Sequence, residues 1–402
     1  MNTGLLGIGI IGAGAIVKRH VIAYQSLPQL ARLVAVADID AKRANEAKNA
    51  YGFSDAVTDY HALLSRDDID AVDVCTPAGL HCRMEVDALR AGKHVLCEKP
   101  IATTLADADA MIAAADEHPH LASSCVFQLR CETTHRRMRW LIDQGHLGRP
   151  LLAKLAVKVR KSPSYYTARP GGGSWKSDGG GVLVNQAIHQ LDALITFLGE
   201  PVEASATMDT FVHPIECEDT LTGWVRFESG AIATIECTTC AKRKESAIEI
   251  TGENAGLRIA GDPDSQEFDL RIDALGSAAR KAIHGKGMNA VPEPRRPGKL
   301  TVSIRKLVAK SKRKPFAPSL FWGHTPFVKE FLESARDGRP GPVPFREARR
   351  SLALATALYE SSRTKRVVTW PIDGRCSLYR GPAGEIVDPA RRDPRTAVPT
   401  GG

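Results

Sequence analysis

The stretch that decides the fold is LLGIGIIGAGAIVKRH, residues 5–20. Its first half is a short apolar run typical of a buried strand, and its second half has the amphipathic pattern of a helix. Gly12 and Gly14 lie between the two halves, where a tight turn must connect them. Gly7 and Gly9 complete a GxGxxG pattern with Gly12, but both lie inside the apolar run and cannot form that turn. The stretch therefore predicts a strand, a glycine turn and a helix.

A glycine turn before a helix is a nucleotide-binding feature, because the backbone can approach a pyrophosphate that rests on the helix N-terminus. The residues predicted to bind the cofactor here are Gly12, Gly14, Ala15 and Ile16. The third glycine position of this frame holds Val17, which weakens the pattern. A second feature is needed to support a nucleotide site.

Asp38 supplies that second feature, because it follows the next predicted strand, 33–37. An acid at this place bonds the adenosine ribose hydroxyls, and its charge repels a 2′-phosphate. We therefore predict NAD as the cofactor, while nearby Lys42 and Arg43 keep NADP open. The alternative for Asp38 is a purely structural role as the N-cap of the helix that begins at Ala41.

Strands and helices alternate up to residue 125. Units of this length predict an α/β fold with a parallel, doubly wound Rossmann sheet in a domain at 1–125. The predicted strands are 5–11, 33–37, 71–75, 94–97 and 121–127. The first predicted helix ends near residue 27, and the others span 41–51, 80–91 and 105–117.

From residue 126 the pattern changes to strands joined by short turns, which predicts an α+β domain at 126–370 with a mostly antiparallel, open-faced sheet. A basic insertion at 263–318 and a loose tail at 371–402 are also predicted. The strands are expected at 151–159, 202–208, 220–227, 231–239, 247–251 and 257–259, and the helices at 133–144, 182–198, 325–335 and 345–362.

The net charge of +8 comes from one segment. Between Arg280 and Lys314 there are twelve basic residues against one acidic residue, Glu293, and the rest of the chain is slightly acidic. This segment contains proline and glycine without interleaved aromatic residues, so we predict a solvated surface segment and no nucleic-acid partner. The alternative is attraction of an anionic partner or a phosphate-bearing substrate.

The nine cysteines are an odd number and lie mostly in apolar runs, which predicts reduced, buried thiols. Cys237 and Cys240 form a CxxC without a second pair or a nearby histidine in the sequence, so no metal or redox site is predicted. No run reaches the roughly 20 apolar residues of a membrane helix. We therefore expect a cytoplasmic protein that does not contact membranes.

Glu98-Lys99-Pro100 follows the predicted strand 94–97. Asp38, Thr76-Pro77 and Glu98-Lys99 each follow a different strand of one parallel sheet, so all are expected at its carboxyl edge, where such sheets bind ligands. A lysine there can exchange a proton with a substrate hydroxyl when burial and cofactor charge lower its pKa. A lysine after a strand can equally be a surface charge.

The segment GGGVLVNQAIHQLD, residues 179–192, is predicted to form a glycine-led helix. Its apolar residues follow helical spacing, which leaves Asn185, His189 and Asp192 as neighbours on a polar stripe. His189 is a candidate general base or acid, Asn185 a candidate ligand of a substrate hydroxyl, and Asp192 a candidate for orienting the imidazole ring. A histidine on a helix can instead be structural.

These motifs closely resemble the Gfo/Idh/MocA oxidoreductase family. The resemblance covers residues 5 to about 260 and 322 to 370, and its carriers are IGAGAIVKRH (11–20), CTPAGLH (75–81), AGKHVLCEKP (91–100), GGGVLVNQAIHQLD (179–192) and CEDTLTGWVRFESGAIATIE (217–236). It implies a nicotinamide-dependent dehydrogenase.

The resemblance also implies roles for single residues. Lys99 corresponds to the catalytic lysine and His189 to its proton-transfer partner, while Glu98 and Thr76 correspond to residues near the nicotinamide ribose. Pro77 and His81 are assigned to the cofactor site. Residues implied as lining the substrate cleft are Arg130, Tyr166, Trp175 and Lys176.

Two residues depart from the family pattern. Asn185 stands where the family often has Asp, which removes a carboxylate beside His189, and Ala78 stands where Asn is common, which removes one cofactor hydrogen bond. The family is otherwise well matched. The basic 263–318 region lies outside the resemblance.

The sequence thus predicts an NAD(P)-dependent oxidoreductase that acts on a secondary hydroxyl of a sugar, sugar acid or cyclic polyol. The alternatives are an NAD-dependent glycosidase with transient substrate oxidation and a non-catalytic nucleotide-sensing regulator. An open antiparallel sheet also predicts a homodimer or homotetramer.

Overall fold

The computed structural model describes residues 4–168, 171–262, 267–274 and 323–382. These residues form two compact units. The first unit contains 4–101, 109–136 and 323–348, and the second contains 102–108, 137–168, 171–262, 267–274 and 349–382. Most of the predicted basic insertion, the whole of 280–314 and the tail beyond 382 lie outside the described residues. The domain boundaries drawn from the sequence stay a prediction.

The first unit contains a six-stranded, wholly parallel sheet, which confirms the predicted doubly wound fold. The strand order is β3-β2-β1-β4-β5-β6. The strands are β1 (Leu6–Ile11), β2 (Ala31–Ala37), β3 (Asp55–Val57), β4 (Ala71–Val74), β5 (His94–Cys97) and β6 (Ser123–Cys125). Strand β3 was not predicted, since it has only three residues.

Helices connect these strands. Their bounds are α1 (Val17–Gln25), α2 (Ala41–Tyr51), α3 (Tyr60–Leu64), α4 (His81–Arg90) and α5 (Leu105–Glu117). Helix α6 (Thr133–Asp143) follows β6, and its residues from Arg137 belong to the second unit. The first unit also contains α11 (His324–Asp337). Helices α2 and α5 have the predicted bounds, whereas the short α3 was not predicted.

Strand β1 lies at the centre of this sheet, and its isoleucines are fully or almost fully buried. Close packing requires glycine at position 7, because a Cβ there would lie 2.0 Å from the backbone oxygen of Asp68. The apolar run with internal glycines is therefore a buried strand that a neighbouring segment approaches closely. The interpretation of Gly7 and Gly9 as strand residues is confirmed.

The second unit contains an eight-stranded sheet with the order β13-β12-β11-β7-β10-β9-β8-β14. All neighbouring pairs are antiparallel except β7 with β10, so the prediction of a mostly antiparallel sheet is confirmed. The strands are β7 (Pro150–Arg160), β8 (Pro201–Asp209), β9 (Thr220–Phe227), β10 (Ile232–Thr238), β11 (Cys240–Gly252), β12 (Ala255–Asp262), β13 (Glu267–Ala274) and β14 (Val368–Thr369).

The two faces of this sheet differ in polarity. In β10, Ala233, Ile235 and Cys237 are buried, and the alternate residues are more exposed. On the exposed face Glu236 pairs with Lys158 at 2.7 Å. This alternation is that of a sheet with one face against the core. The predicted homodimer or homotetramer stays a prediction.

The helices of the second unit are α7 (Pro163–Thr167), α8 (Trp175–Asp178), α9 (Val182–Asn185), α10 (Ile188–Leu198) and α12 (Phe345–Thr364). The continuous helix predicted over 182–198 is wrong, because Gln186 and Ala187 separate α9 from α10. The periodicity did not reveal the break, since Val184 and Ile188 on its two sides are both fully buried. After β14, Ile372 and Leu378 are also buried.

All nine cysteines are described, and none of them forms a disulfide, as predicted. Six are buried and the other three, Cys82, Cys240 and Cys376, are partly exposed. Among the described residues, no helix combines the length and the apolar character that crossing a bilayer requires.

Candidate active site

The glycine turn lies directly after β1. Gly12 has φ +101° and donates its N–H to the carbonyl of Ala37 at 2.7 Å. A Cβ on Gly12 would lie 2.8 Å from the backbone oxygen of Cys75. Both the left-handed backbone and the close neighbour require glycine here.

Gly14 differs from Gly12, because a Cβ on it would meet no atom within 4 Å. It is exposed together with Ala15, while Ile16 is half-buried and immediately precedes α1. The first turn of α1 has neither a side-chain cap nor an acidic residue. Open backbone at an uncapped helix N-terminus fits an anionic group, here the pyrophosphate of a dinucleotide. Val17 is accommodated as a buried first residue of α1.

Asp38 follows β2 and is held by the glycine turn. Its Oδ2 accepts a hydrogen bond from the N–H of Ala13 at 2.9 Å, and its Oδ1 lies 3.2 Å from Nη2 of Arg43. The alternative N-cap role is wrong, since Asp40 caps α2 by accepting hydrogen bonds from the N–H groups of Lys42 and Arg43. Through this hydrogen bond, Asp38 connects the end of β2 to the glycine turn after β1.

His81, the first residue of α4, links the loops after β4 and β5. Its Nε2 lies 3.0 Å from the carbonyl of Thr76, and its Nδ1 lies 2.9 Å from the carbonyl of Pro100. Burial lowers the pKa of His81, so the ring is neutral and donates to one of the two carbonyls. Thr76 is half-buried and Pro77 is exposed at the start of the same loop. Ala78, the departure from the family pattern, is buried.

Lys99 lies at the carboxyl edge of the first unit, two residues after β5. It is half-buried, and its peptide bond to Pro100 is cis. Its backbone N–H donates to Oε2 of Glu98 at 3.0 Å. The other oxygen of Glu98 lies 2.8 Å from Nε2 of His20, so this carboxylate is engaged inside the unit. A contact of Glu98 with the nicotinamide ribose stays a prediction.

Arg130 belongs to the same unit. It lies in a short 3₁₀ turn after β6, is partly buried, and places Nη1 3.4 Å from Oε2 of Glu347. Its assignment to the substrate stays a prediction.

The second unit carries His189, the other predicted catalytic residue, together with Asn185 and Asp192. Asn185 is the last residue of α9, and its Oδ1 accepts hydrogen bonds from the hydroxyl of Tyr165 at 3.0 Å and from Nε2 of Gln186 at 2.9 Å. His189 is the second residue of α10 and is half-buried. Asp192 is buried and accepts a hydrogen bond from the hydroxyl of Ser351 at 3.0 Å. The role of Asp192 in orienting His189 stays a prediction.

Glu218, which the sequence did not single out, holds the start of α9. Its two carboxylate oxygens accept hydrogen bonds from the N–H groups of Gly181 at 2.8 Å and Leu183 at 2.9 Å, and its backbone oxygen accepts from Val182 at 3.0 Å. The hydroxyl of Tyr359 donates to the carboxylate at 2.9 Å. Burial raises the pKa of Glu218 to about 7.

The remaining predicted substrate residues lie in the short helices of the second unit. Tyr166 is buried and donates its hydroxyl to Thr239 at 3.2 Å. Trp175 packs edge-on against Tyr359, with ring centroids 5.0 Å apart, and its indole nitrogen is buried without a hydrogen-bond partner among the described residues. Lys176 is exposed beside it. The structure thus brings Trp175 close to Glu218 through Tyr359.

Sequence reasoning missed His20, Asp73, Glu218 and His324 as parts of the site. His20 and Glu218 both lie inside motifs that carried the family resemblance, which was the available signal. His324 had no such signal, since its contact with Glu98 joins residues far apart in the chain.

Two family models match the chain. The model described as "Oxidoreductase family, NAD-binding Rossmann fold" of the Gfo/Idh/MocA group matches residues 6–124, and the model of the Gfo/Idh/MocA C-terminal domain matches residues 135–258. Together they match more than half of the chain.

Individual relatives are also similar. The chain is 34% identical to 1,5-anhydro-D-fructose reductase of Ensifer adhaerens over 62% of this chain and 74% of that protein. It is 25% identical to myo-inositol 2-dehydrogenase of Thermotoga maritima over 90% and 97% of the two chains. Among solved structures, the WlbA dehydrogenase of Bordetella pertussis in complex with NADH and UDP-GlcNAcA is similar with a TM-score of 0.76 and 26% identity, covering 92% of this chain and 100% of that one.

Proposed function

Because the chain belongs to the Gfo/Idh/MocA oxidoreductase family, we propose that it is an NAD-dependent dehydrogenase that oxidises a secondary hydroxyl of a sugar, sugar acid or cyclic polyol. Relatives named as inositol and levoglucosan dehydrogenases and as an anhydrofructose reductase support this substrate class.

One observation within the first unit carries the proposal. Lys99, Asp38 and the turn at Gly12–Gly14 each follow a strand of the same parallel sheet at its carboxyl end. Ligands of open parallel sheets bind at this edge. A dinucleotide bound by the turn and a proton-transferring lysine are thus compatible with one sheet edge.

The residues of the turn fit the cofactor. Gly12, Gly14, Ala15 and Ile16 would hold the pyrophosphate, and Asp38 the adenosine ribose. Thr76, Pro77, His81 and Glu98 lie in or brace the loops that would surround the nicotinamide ribose. When bound, NAD supplies the nicotinamide carbon that accepts the hydride from the alcohol carbon. The acid at position 38 favours NAD over NADP.

The contribution of the chain is to orient the alcohol and to take its hydroxyl proton. We assign proton transfer to Lys99 with His189 as its partner, because an amine and an imidazole can each accept a proton near neutral pH when suitably placed. Asn185 offers an amide for hydrogen bonds to a substrate hydroxyl. Residues assigned to substrate binding on the family resemblance are Arg130, Tyr166, Trp175 and Lys176.

A substrate panel tests the function. Formation of NADH from NAD, or of NADPH from NADP, is followed by absorbance with myo-inositol, levoglucosan and D-glucuronate, and NADH consumption is followed with 1,5-anhydro-D-fructose. Steady NADH formation with a free sugar or polyol, at a higher kcat/KM for NAD than for NADP, is expected. A chain that cleaves glycosides without net NADH formation, or that binds NADH without turning over any member of the panel, contradicts the proposal.

Lys99→Ala tests the residue assignment. We expect kcat to fall about 10²–10⁴-fold, the usual size of proton-transfer catalysis, with NADH binding unchanged. Lys93→Ala is the matched control, because Lys93 precedes β5 and its Nζ donates to the carbonyls of Arg66 and Ile69. The control is expected to lower the melting temperature and leave kcat within about twofold. Near-normal turnover of Lys99→Ala rejects the assignment.

A further inference from the structure

His20 is a fully buried histidine that lies between two carboxylates of the first unit. It is the fourth residue of α1, with Nδ1 2.7 Å from Oδ2 of Asp73 and Nε2 2.8 Å from Oε1 of Glu98. Both ring nitrogens face carboxylate oxygens, whose negative charge favours a proton on each nitrogen and therefore the cationic ring. Burial lowers the pKa of His20, but its interactions with Asp73 and Cys75 together outweigh burial and raise this pKa well above 6.5.

Glu98 connects the buried His20 to Lys99. Burial alone would raise the pKa of Glu98, but hydrogen bonds from His20 and His324 hold it well below its usual range, so the group is a carboxylate. Oε1 faces His20, and Oε2 accepts the backbone N–H of Lys99 at 3.0 Å. The orientation of this carboxylate therefore fixes the position of the Lys99 backbone nitrogen.

The cluster around His20 joins four elements of the first unit. Asp73 in β4 also accepts a hydrogen bond from the hydroxyl of Tyr24 at 2.9 Å. His324 in α11 lies 3.5 Å from Oε1 of Glu98, and its ring centroid is 4.9 Å from that of His20. Charge-assisted bonds among buried groups are short and strong, so this cluster is rigid.

The position of His20 excludes direct chemistry. Its side chain has no exposure, so it cannot touch a substrate. A histidine that only stabilised the core would affect folding without affecting turnover of folded enzyme. The contacts of Glu98 with His20 and with the backbone of Lys99 favour a role in positioning Lys99 over one in core stability alone.

From these contacts we propose that His20 is a positioning residue, which holds Lys99 in its working orientation through Glu98. The inference rests on the proposed function, since it takes Lys99 as the residue that transfers the proton. It adds that the helix after the glycine turn and the lysine loop share one buried contact.

The test is a double-mutant cycle with His20→Gln, Glu98→Gln and the two together. Values of kcat and KM are measured with NAD and whichever of myo-inositol, levoglucosan and D-glucuronate the unaltered chain turns over fastest, and NADH binding is measured by fluorescence titration. Each single variant is expected to lower kcat about 10–100-fold, because small misplacements of a reacting group have effects of this size. For His20→Gln, the KM and the NADH dissociation constant should change less than about threefold.

The double variant separates the two roles. Because His20 acts through Glu98, the double variant should have a kcat within about threefold of that of Glu98→Gln alone. Losses that multiply, or a His20→Gln enzyme with normal kcat per NADH-binding site, overturn the inference. Inactive Lys99→Ala with normal His20→Gln overturns only the inference, whereas active Lys99→Ala overturns the proposed function as well.

Two further variants complete the test: one is a control in the same cluster, and the other replaces His20→Gln if that variant does not fold. Tyr24→Phe alters the same cluster but removes only the bond to Asp73, so its kcat should stay within about twofold. If His20→Gln gives no folded protein, His324→Gln takes its place, because His324 also contacts Glu98. It should lower kcat about 3–10-fold with unchanged NADH binding, and unchanged kcat overturns the inference.

Discussion

Glu98 in the first unit and Glu218 in the second are both buried, and both accept backbone N–H groups of a segment that carries a predicted catalytic residue. Their pKa values nevertheless move in opposite directions. Burial raises the pKa of Glu218 to about 7, whereas the pKa of Glu98 is held well below its usual range. The two sites show what decides the charge of a buried carboxyl group.

The difference lies in the donors. Glu98 faces His20 and His324, and His20 is a cation. Glu218 faces the N–H groups of Gly181 and Leu183 and the hydroxyl of Tyr359, which are neutral. Neutral donors offset part of the cost of burying a charge, and a buried cation offsets more. The lysine segment is thus held by fixed charges, and the histidine segment by a group that titrates near neutrality.

The largest expected effect contrasts Glu98→Gln with Glu218→Gln in free energy of unfolding. Glu98→Gln leaves a buried cation with one counterion fewer and should cost about 3–5 kcal/mol. Glu218→Gln keeps one amide oxygen as acceptor and removes no partner of a cation, so about 1–3 kcal/mol is expected. Urea unfolding at pH 7.5 measures both. Equal losses in the two variants would contradict the distinction between the sites.

The pH dependence of stability sharpens the contrast. The pKa of Glu218 is raised from 4.5 to about 7, so the folded chain binds this proton more tightly than the unfolded chain. Its stabilising contribution is present below pH 4.5 and is lost as the pH rises through 7, by up to about 3 kcal/mol at roughly 1.4 kcal/mol per pKa unit. Glu98 acts oppositely, since its contribution is present above pH 4.5 and is lost as the pH falls.

Unfolding free energies of the unaltered chain and both glutamine variants between about pH 3 and 8.5 check this. Glu218→Gln should remove the decline between pH 4.5 and 7, and Glu98→Gln should flatten the acid side. An unchanged decline in Glu218→Gln assigns the effect to another group and contradicts the prediction.

The smallest expected effect compares two buried tyrosines. Tyr24 donates to Asp73 beside His20, and Tyr359 donates to Glu218. A hydrogen bond to a charged acceptor contributes about 1.5–3 kcal/mol and one to a neutral acceptor about 1 kcal/mol. The cost of Tyr359→Phe should therefore grow as Glu218 ionises between pH 6 and 8, while that of Tyr24→Phe stays constant. Thermal unfolding at the two pH values measures it, and parallel behaviour of the two variants would be evidence against a titrating Glu218.

Local patterns predicted much of the first unit. The glycine turn, the strand 94–97 before Lys99 and the helix 41–51 all rest on contiguous residues, and the structure has them at those places. The acid after β2 was predicted for the same reason. Residues that act through their own short segment are visible in a sequence.

Features that depend on distant partners were not predicted. The break at Gln186–Ala187 leaves the apolar spacing intact, so periodicity could not detect it. Asp40 and Asp38 are both acids before α2, and only the backbone shows that Asp40 is the cap. The contacts of Glu98 with His20 and His324 join three separate stretches, and the pairing of Glu218 with Tyr359 joins two others. Sequence spacing contains no record of such pairings.

The thiol of Cys97 gives β5 a built-in chemical reporter. Cys97 is fully buried directly before Glu98, and burial raises its pKa well above 9.0. A thiol reagent reacts with the exposed thiolate, so it reaches this sulfur only when the end of β5 opens. The rate at which Cys97 is alkylated therefore follows the local opening of the strand that leads to Lys99, without any label being added to the chain.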